Sequence, residues 1–470
     1  MVISTLADSL VRGADSVSDA ISGRLFEQTV RLGVTGLARS GKTVFITSLV
    51  ANLLDRGRMP GLAAAQEGRI IAAYLQPQPD DTVPRFDFET HIAALTGANP
   101  HWPDSTRAIS ELRLSLRVRP GGVLGGLQGP RTVHLDIVDY PGEWLLDLIL
   151  LEKSYADWSA DVLAKMESRD QARDFLTMAR EEDAAASLDE PRAQALAHGF
   201  TAYLGAARDA GWSDVTPGRF LLPGDLAGSP VLTFAPLPRP ESVPRRSLWR
   251  EMERRFEAYK SRVVRPFFRD HFSRIDRQVV LVDVLGAIHT GPAAITDMRA
   301  AMSEILGAFR PGRNAFLSRL LLGRRVDKIL FAATKADHLH HTQHDRLTAV
   351  MEVLVRDATE RARFSGAQTS ALALAALRVT TEEMRDHKGT PLPCVRGTAL
   401  ETGREAAFYP GELPEDPTVF LTPGNGSETA RGDAFRAMAF APAPLTRRRG
   451  EGPPHIRLDR AAQFLIGDRL

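Results

Sequence analysis

The octapeptide Gly36-Leu37-Ala38-Arg39-Ser40-Gly41-Lys42-Thr43 satisfies the pattern G-x-x-x-x-G-K-[ST] at every fixed position. This constrains the fold more than any other stretch. Leu32 and Val34 before it read as a short buried strand, while Val44, Phe45, Leu49, Val50, Leu53 and Leu54 after it recur at helical spacing. Strand, glycine loop and helix are the context in which such a loop cradles phosphate. Gly36 and Gly41 permit turns that a Cβ would obstruct, and the positive end of the following helix favours an anion. Gly36, Arg39, Ser40, Gly41, Lys42, Thr43 and Val44 are therefore expected to line a phosphate site. Lys42 would reach the outer phosphates and Thr43 would ligate Mg²⁺.

Two further motifs follow in order, each placed at the end of a strand. Glu111–Arg119 and Thr132–Asp139 alternate apolar and polar residues across a Pro/Gly-bearing turn, which predicts a β-hairpin. Asp139-Tyr140-Pro141-Gly142 then fits D-x-x-G. Asp139 would hold Mg²⁺, and the Gly142 N–H would sense the terminal phosphate. Asp283-Val284-Leu285-Gly286 fits equally well, but the hairpin precedes Asp139, which is the order of a Ras-like domain. The third motif is Thr334-Lys335-Ala336-Asp337, after the buried run from Lys328. It resembles the N/T-K-x-D guanine-reading motif. A carboxylate at Asp337 accepts from the ring N–H and exocyclic amine of guanine, donors that adenine lacks at those positions. The segment Ala375–Thr380 is expected on the other side of the base.

Thr106 is the expected closing ligand to Mg²⁺, with Thr82, Thr90 and Thr96 as competitors. Arg107 beside it and Arg39 in the loop are candidates to neutralise transition-state charge. Glu143, where Ras-like enzymes carry a water-orienting Gln, is a further catalytic candidate. His338, His340, His341 and His344 read as an exposed helix start. His340 and His344 have the spacing to share a metal on a helix, but no further ligand lies nearby in sequence.

With 470 residues there is room for a nucleotide-binding core and an insertion, and the expected boundaries are these. Residues 1–31 form an amphipathic N-terminal helix, and 32–145 and 277–385 are two parts of an α/β core with a mostly parallel sheet. Residues 146–276 are a helical insertion, and 386–470 a Pro/Gly-rich C-terminal extension. Residues 55–110 read as a long, mostly irregular connection with one short strand near 69–75. Lys+Arg of 59 against Asp+Glu of 58 gives no bulk charge to hold a nucleic acid. A single cysteine, Cys394, excludes an internal disulfide and fits a reducing cytoplasm. No apolar run is long enough to span a bilayer.

The stretches Gly33–Ser48, Trp102–Leu114, Leu135–Glu143, Val282–Gly286, Thr334–Asp337 and Leu392–Thr398 together resemble the YcjX-like family of P-loop nucleoside triphosphatases over nearly the whole chain. The resemblance implies a Ras-like core with a helical insertion in a bacterial, stress-linked, cytoplasmic protein. It also adds weight to Thr106 and Arg107. The expected activity is hydrolysis of GTP with Mg²⁺ in a regulatory switch that engages an unknown protein effector, with peripheral contact to a membrane or membrane protein possible and the oligomeric state open. Two alternatives stand beside it. One is an ATPase with mechanical or chaperone-like work. The other is a nucleotide-binding structural protein with little hydrolysis.

Overall fold

The computed structural model describes residues 27–36, 39–104, 108–121, 129–307, 326–364, 366–421, 435–445 and 448–470. Ten strands run β1 (Gln28–Gly36), β2 (Ile70–Gln76), β3 (Ser110–Val118), β4 (Arg131–Asp139), β5 (Arg277–Val282), β6 (Lys328–Ala333), β7 (Gln368–Ala373), β8 (Thr381–His387), β9 (Thr390–Thr398) and β10 (Glu405–Phe408). The first seven form one sheet in the order β2-β3-β4-β1-β5-β6-β7. β4, β1, β5, β6 and β7 are mutually parallel, while β2 and β3 add antiparallel to the edge. The expected α/β class with a mostly parallel sheet is therefore the observed one.

The sheet is covered on both faces, as the continuous burial of its central strands requires. Val279, Leu281, Leu330 and Ala332 pack in one apolar cluster with helix α1 (Lys42–Leu54) and the C-terminal helix Leu458–Ile466. Their neighbours Val280, Val282, Ile329, Phe331 and Ala333 belong to a second cluster, shared with the helices between β4 and β5. Those helices are Tyr155–Met166, Arg173–Glu181, Glu190–Asp209 and Leu248–Tyr259, followed by a wide turn at Lys260–Val264 and a short helix Arg265–Asp270. They are joined by aromatic packing. The Phe234 ring lies 5.6 Å from Trp158, 5.7 Å from Phe256, 4.9 Å from Phe220 and 5.5 Å from Tyr259.

Four expectations need correction. Val30 belongs to β1, which begins at Gln28 rather than in a helix ending at residue 31; residues 1–26 of that helix lie outside the described residues. The connection 55–110 contains a helix, Phe88–Thr96, whose first turn is capped by Asp87 accepting from the Thr90 N–H. The expected Pro/Gly-rich extension 386–470 contains most of a second, three-stranded antiparallel sheet, β10-β9-β8, which already begins at Thr381. Pro391 and Pro393 are unusual in a central strand. Both lie where β9 pairs with β8 alone, because β10 pairs only with Val395–Thr398, so no ladder partner needs their missing N–H groups. Finally, the histidines are not an exposed helix start. His340 and His344 are buried, and the helix begins only at His344.

Candidate nucleotide site

Parallel pairing brings the three motifs to one edge of the sheet. Val34 of β1 is in register with Asp139 of β4, Gly36 with Leu281 of β5, and Val282 with Ala333 of β6. Beyond those ends lie the glycine loop, Asp139-Tyr140-Pro141-Gly142, Asp283 and Thr334–Asp337. In open parallel sheets, ligands bind at the carboxyl ends of the strands.

The loop is built for close backbone approach. A Cβ on Gly36 would stand 2.2 Å from Ser40 Oγ and 2.6 Å from the Leu281 carbonyl, so only glycine fits there. Gly41 takes φ +82° directly before α1, a left-handed conformation open only to glycine without strain. Arg39 also lies in the left-handed region, with φ 62°, and its side chain is exposed. Lys42 folds back so that Nζ donates to the Gly36 carbonyl at 3.1 Å, which holds the ammonium over the loop. Thr43 and Ser40 are buried, Val44 half-buried. The Ser40 hydroxyl has no hydrogen-bond partner among the described residues.

Asp139 is 1% exposed at the end of β4. After it, Gly142 opens a short helix, Glu143–Leu146, in which every residue is buried. Glu143 Oε2 has no hydrogen-bond partner among the described residues. This segment is roofed by the helical segment between β4 and β5. The Arg219 guanidinium stacks on the Trp144 ring at 3.3 Å, and Trp144 Nε1 donates to the Leu222 carbonyl at 3.2 Å. The Gly218 N–H and the Tyr259 hydroxyl both donate to the Asp147 carboxylate. Burial pushes the Asp147 carboxyl up to about 7, against the lowering effect of those two donors.

The competing Asp283-Val284-Leu285-Gly286 has a different local structure. Asp283 caps the helix Val284–Thr290, accepting from the Gly286 N–H at 3.0 Å, and pairs with Lys335. Lys335 itself is left-handed, with φ 61°. Asp337 is 3% exposed, and its Oδ2 accepts from the Val379 N–H at 3.0 Å. The Thr380 hydroxyl donates to the Asp337 carbonyl, and the Ala336 N–H donates to the Leu374 carbonyl at 3.1 Å. The expected far-side segment, 375–380, thus wraps the Thr334–Asp337 turn. Thr334 is tied to β5 through its N–H and hydroxyl, both donating to the Val282 carbonyl.

Thr106 and Arg107 lie outside the described residues. Of the other threonines weighed with Thr106, Thr82 bonds to Asp80, Thr90 sits in the capped first turn of its helix, and Thr96 bonds back to the Ile92 carbonyl. What the sequence missed is that Asp147, Arg219 and Tyr259 converge beneath the Gly142 segment. They are separated by tens of residues, and no local pattern marks them.

Among the described residues no helix is long and apolar enough to cross a membrane.

Comparison with known proteins places these features in one family. The model of the YcjX-like family, DUF463, matches residues 30–470. A protein of Escherichia coli (strain K12) named Ras-like GTPase YcjX is 38% identical over 467 residues, covering 96% of this chain and 98% of that protein. A protein of the same name from Shewanella oneidensis (strain MR-1) is 35% identical over 479 residues, covering 96% and 97%. With a nucleotide-type glycine loop, two further motifs on the same sheet edge and this match along nearly its full length, the chain belongs to the YcjX-like family.

Proposed function

We propose that this protein binds and hydrolyses GTP with Mg²⁺ and acts as a regulatory switch. The observation that carries the reading is the row of strand ends. A loop with Lys42 folded over it, a buried Asp139 and a turn carrying Asp337 stand at the ends of β1, β4 and β6, within a run of four adjacent parallel strands. The names of the two relatives support the guanine nucleotide.

The loop fits a phosphate chain, because Gly36 admits no side chain and the buried Ser40 hydroxyl lacks a partner among the described residues. Its backbone N–H groups and the start of α1 would hold the phosphates, and Lys42 would neutralise their charge. Thr43 and Asp139 would hold Mg²⁺, joined by Thr106; the ion supplies charge neutralisation between the outer phosphates. The Gly142 N–H would sense the terminal phosphate, Arg39 and Arg107 are placed by sequence to offset charge in the transition state, and Glu143 to orient water. Asp337 would accept from guanine, with Thr334 and Lys335 shaping the turn beside it. The family resemblance supports a cytoplasmic, stress-linked setting, and the switch reading calls for a protein effector.

One observation favours a second reading, nucleotide binding with little hydrolysis. Glu143 is 4% exposed in a segment roofed by other helices, which limits the approach of water.

The base assignment is tested by Asp337→Asn. An amide in place of the carboxylate exchanges an acceptor for a donor, so affinity moves from guanine to xanthine nucleotides by about 1–3 kcal/mol in each direction. Competition titrations with GDP and XDP read the change, and an unaltered guanine preference would remove Asp337 from the base site.

A further inference from the structure

The turn that follows Asp337 carries a second constellation, unrelated to phosphate. His340, His341 and Glu382 each present one ligand atom, and the three atoms lie within 4.8 Å of one another. His340 and His341 follow the short turn Ala336–His338 after Leu339, and Glu382 is the second residue of β8. The His340 Nε2 stands 3.8 Å from Glu382 Oε2, and His341 Nδ1 is hydrogen-bonded to the same oxygen.

We propose that His340, His341 and Glu382 form a binding site for a divalent transition-metal ion of the zinc class. Two imidazoles and one carboxylate are borderline ligands that suit such an ion, with water completing the tetrahedron. The supporting contacts fit that use. His340 Nδ1 lies 3.0 Å from Thr342 Oγ1 and accepts a long 3.5 Å contact from the Thr342 N–H; on metal binding the proton moves to Nδ1, which donates to Oγ1 and leaves the Nε2 lone pair for the ion. The other carboxylate oxygen of Glu382, Oε1, accepts from Arg378 at 3.3 Å, which leaves Oε2 facing the imidazoles. His340 is buried and pre-positioned, whereas the His341 side chain is 65% exposed and free to turn the few tenths of an ångström to a metal bond length. Ligand atoms on one tetrahedral zinc stand roughly 3.3 Å apart, so the 3.8 Å between His340 Nε2 and Glu382 Oε2 closes by a small shift of the Glu382 carboxylate while His341 turns to meet the ion.

A cation here ties two segments that already grip Asp337. Residues 336–341 carry that aspartate, and 379–382 donate to it and begin β8. The ion therefore staples the sheet edge to the three-stranded sheet, and it stabilises the folded chain by mass action.

The test uses untagged, full-length protein freed of metal by chelation. Equilibrium dialysis against Zn²⁺ is expected to load one ion at this site with micromolar or tighter affinity. Loss of even an outer-shell partner weakens metal sites by about 10–100-fold, so His341→Ala and Glu382→Gln are each expected to lose at least about tenfold. Co²⁺ in place of Zn²⁺ should give visible absorption in the wild type and not in the variants. Zn²⁺ should raise the melting midpoint of the wild type alone. His341→Ala removes an exposed side chain and keeps the fold, as an unchanged metal-free melting midpoint would verify. Zinc bound equally by the wild type and both variants, or no zinc bound by the wild type, overturns the proposal.

Discussion

The edge of the sheet that carries the motifs and the helical segment that roofs it are held by opposite means. At the edge, the features are anchored mainly on backbone groups: Lys42 on the Gly36 carbonyl, Asp283 on the Gly286 N–H, Asp337 on the Val379 N–H. In the helical segment, stability rests on side chains far apart in sequence. Trp158 stacks on Phe256, and Arg169 pairs with both Asp214 and Asp297 while lying over Trp212. The first arrangement allows side chains to change with little damage to the fold. The second does not, because each buried group satisfies several others.

The largest expected effect lies in the helical segment. Arg169 is buried against two carboxylates and the Tyr203 hydroxyl. Burial, reinforced by the neighbouring Asp214 charge, already holds the Asp297 carboxyl up at about 7. Arg169→Met leaves Asp297 without a cation and Asp214 with Lys165 alone, and should destabilise the protein by about 3–5 kcal/mol, read by urea unfolding. A loss below about 1 kcal/mol would break the contrast from this side.

Lys42→Ala is the matching change at the edge. It should weaken nucleotide binding by at least about 100-fold, roughly 3 kcal/mol, while moving the melting midpoint by no more than about 2 °C. A large drop in the midpoint would show that the loop, too, is a structural element.

Asp147 stands where the two regions meet, and its pH dependence sharpens the comparison. Its folded-state pKa, about 7, lies above the ordinary carboxyl value of 3.8. Between those values the folded chain holds a proton that the unfolded chain has released. Stability therefore falls as pH rises through that window and levels off above about 7. Asp147→Asn keeps an acceptor for the Gly218 N–H and can donate to the Tyr259 oxygen. Relative to the wild type, the variant should gain about 2 kcal/mol between about pH 5 and about pH 8. Urea unfolding at the two pH values measures this, and parallel pH profiles would refute the burial of a charge-bearing carboxyl there.

The same contrast explains what was legible in the sequence. The loop, the hairpin and the turn at Thr334–Asp337 are local patterns, and each appears in the structure at the end of the expected strand. The buried strands β5 and β6 were readable because parallel strands covered on both faces are apolar throughout. β8 was not readable, because Thr381–His387 is polar and mostly exposed and so carries no apolar alternation. Nor was β9, whose prolines sit harmlessly where one side of the strand has no partner. Glu382 as a neighbour of His341 was beyond reach for another reason: 41 residues separate them, and only the packing of the second sheet brings them together. Likewise, Tyr259 reaches Asp147 across 112 residues.

The central claim is that the sheet edge reads a guanine nucleotide, and the most direct measurement is titration of the purified protein with fluorescent GDP and fluorescent ADP in Mg²⁺ buffer. The account predicts that GDP binds at least about 100-fold more tightly than ADP, the discrimination expected when a buried acceptor meets a base without the matching donors. Equal affinity, or a preference for ADP, would contradict it and leave Asp337 as a carboxylate that holds its own turn and nothing more.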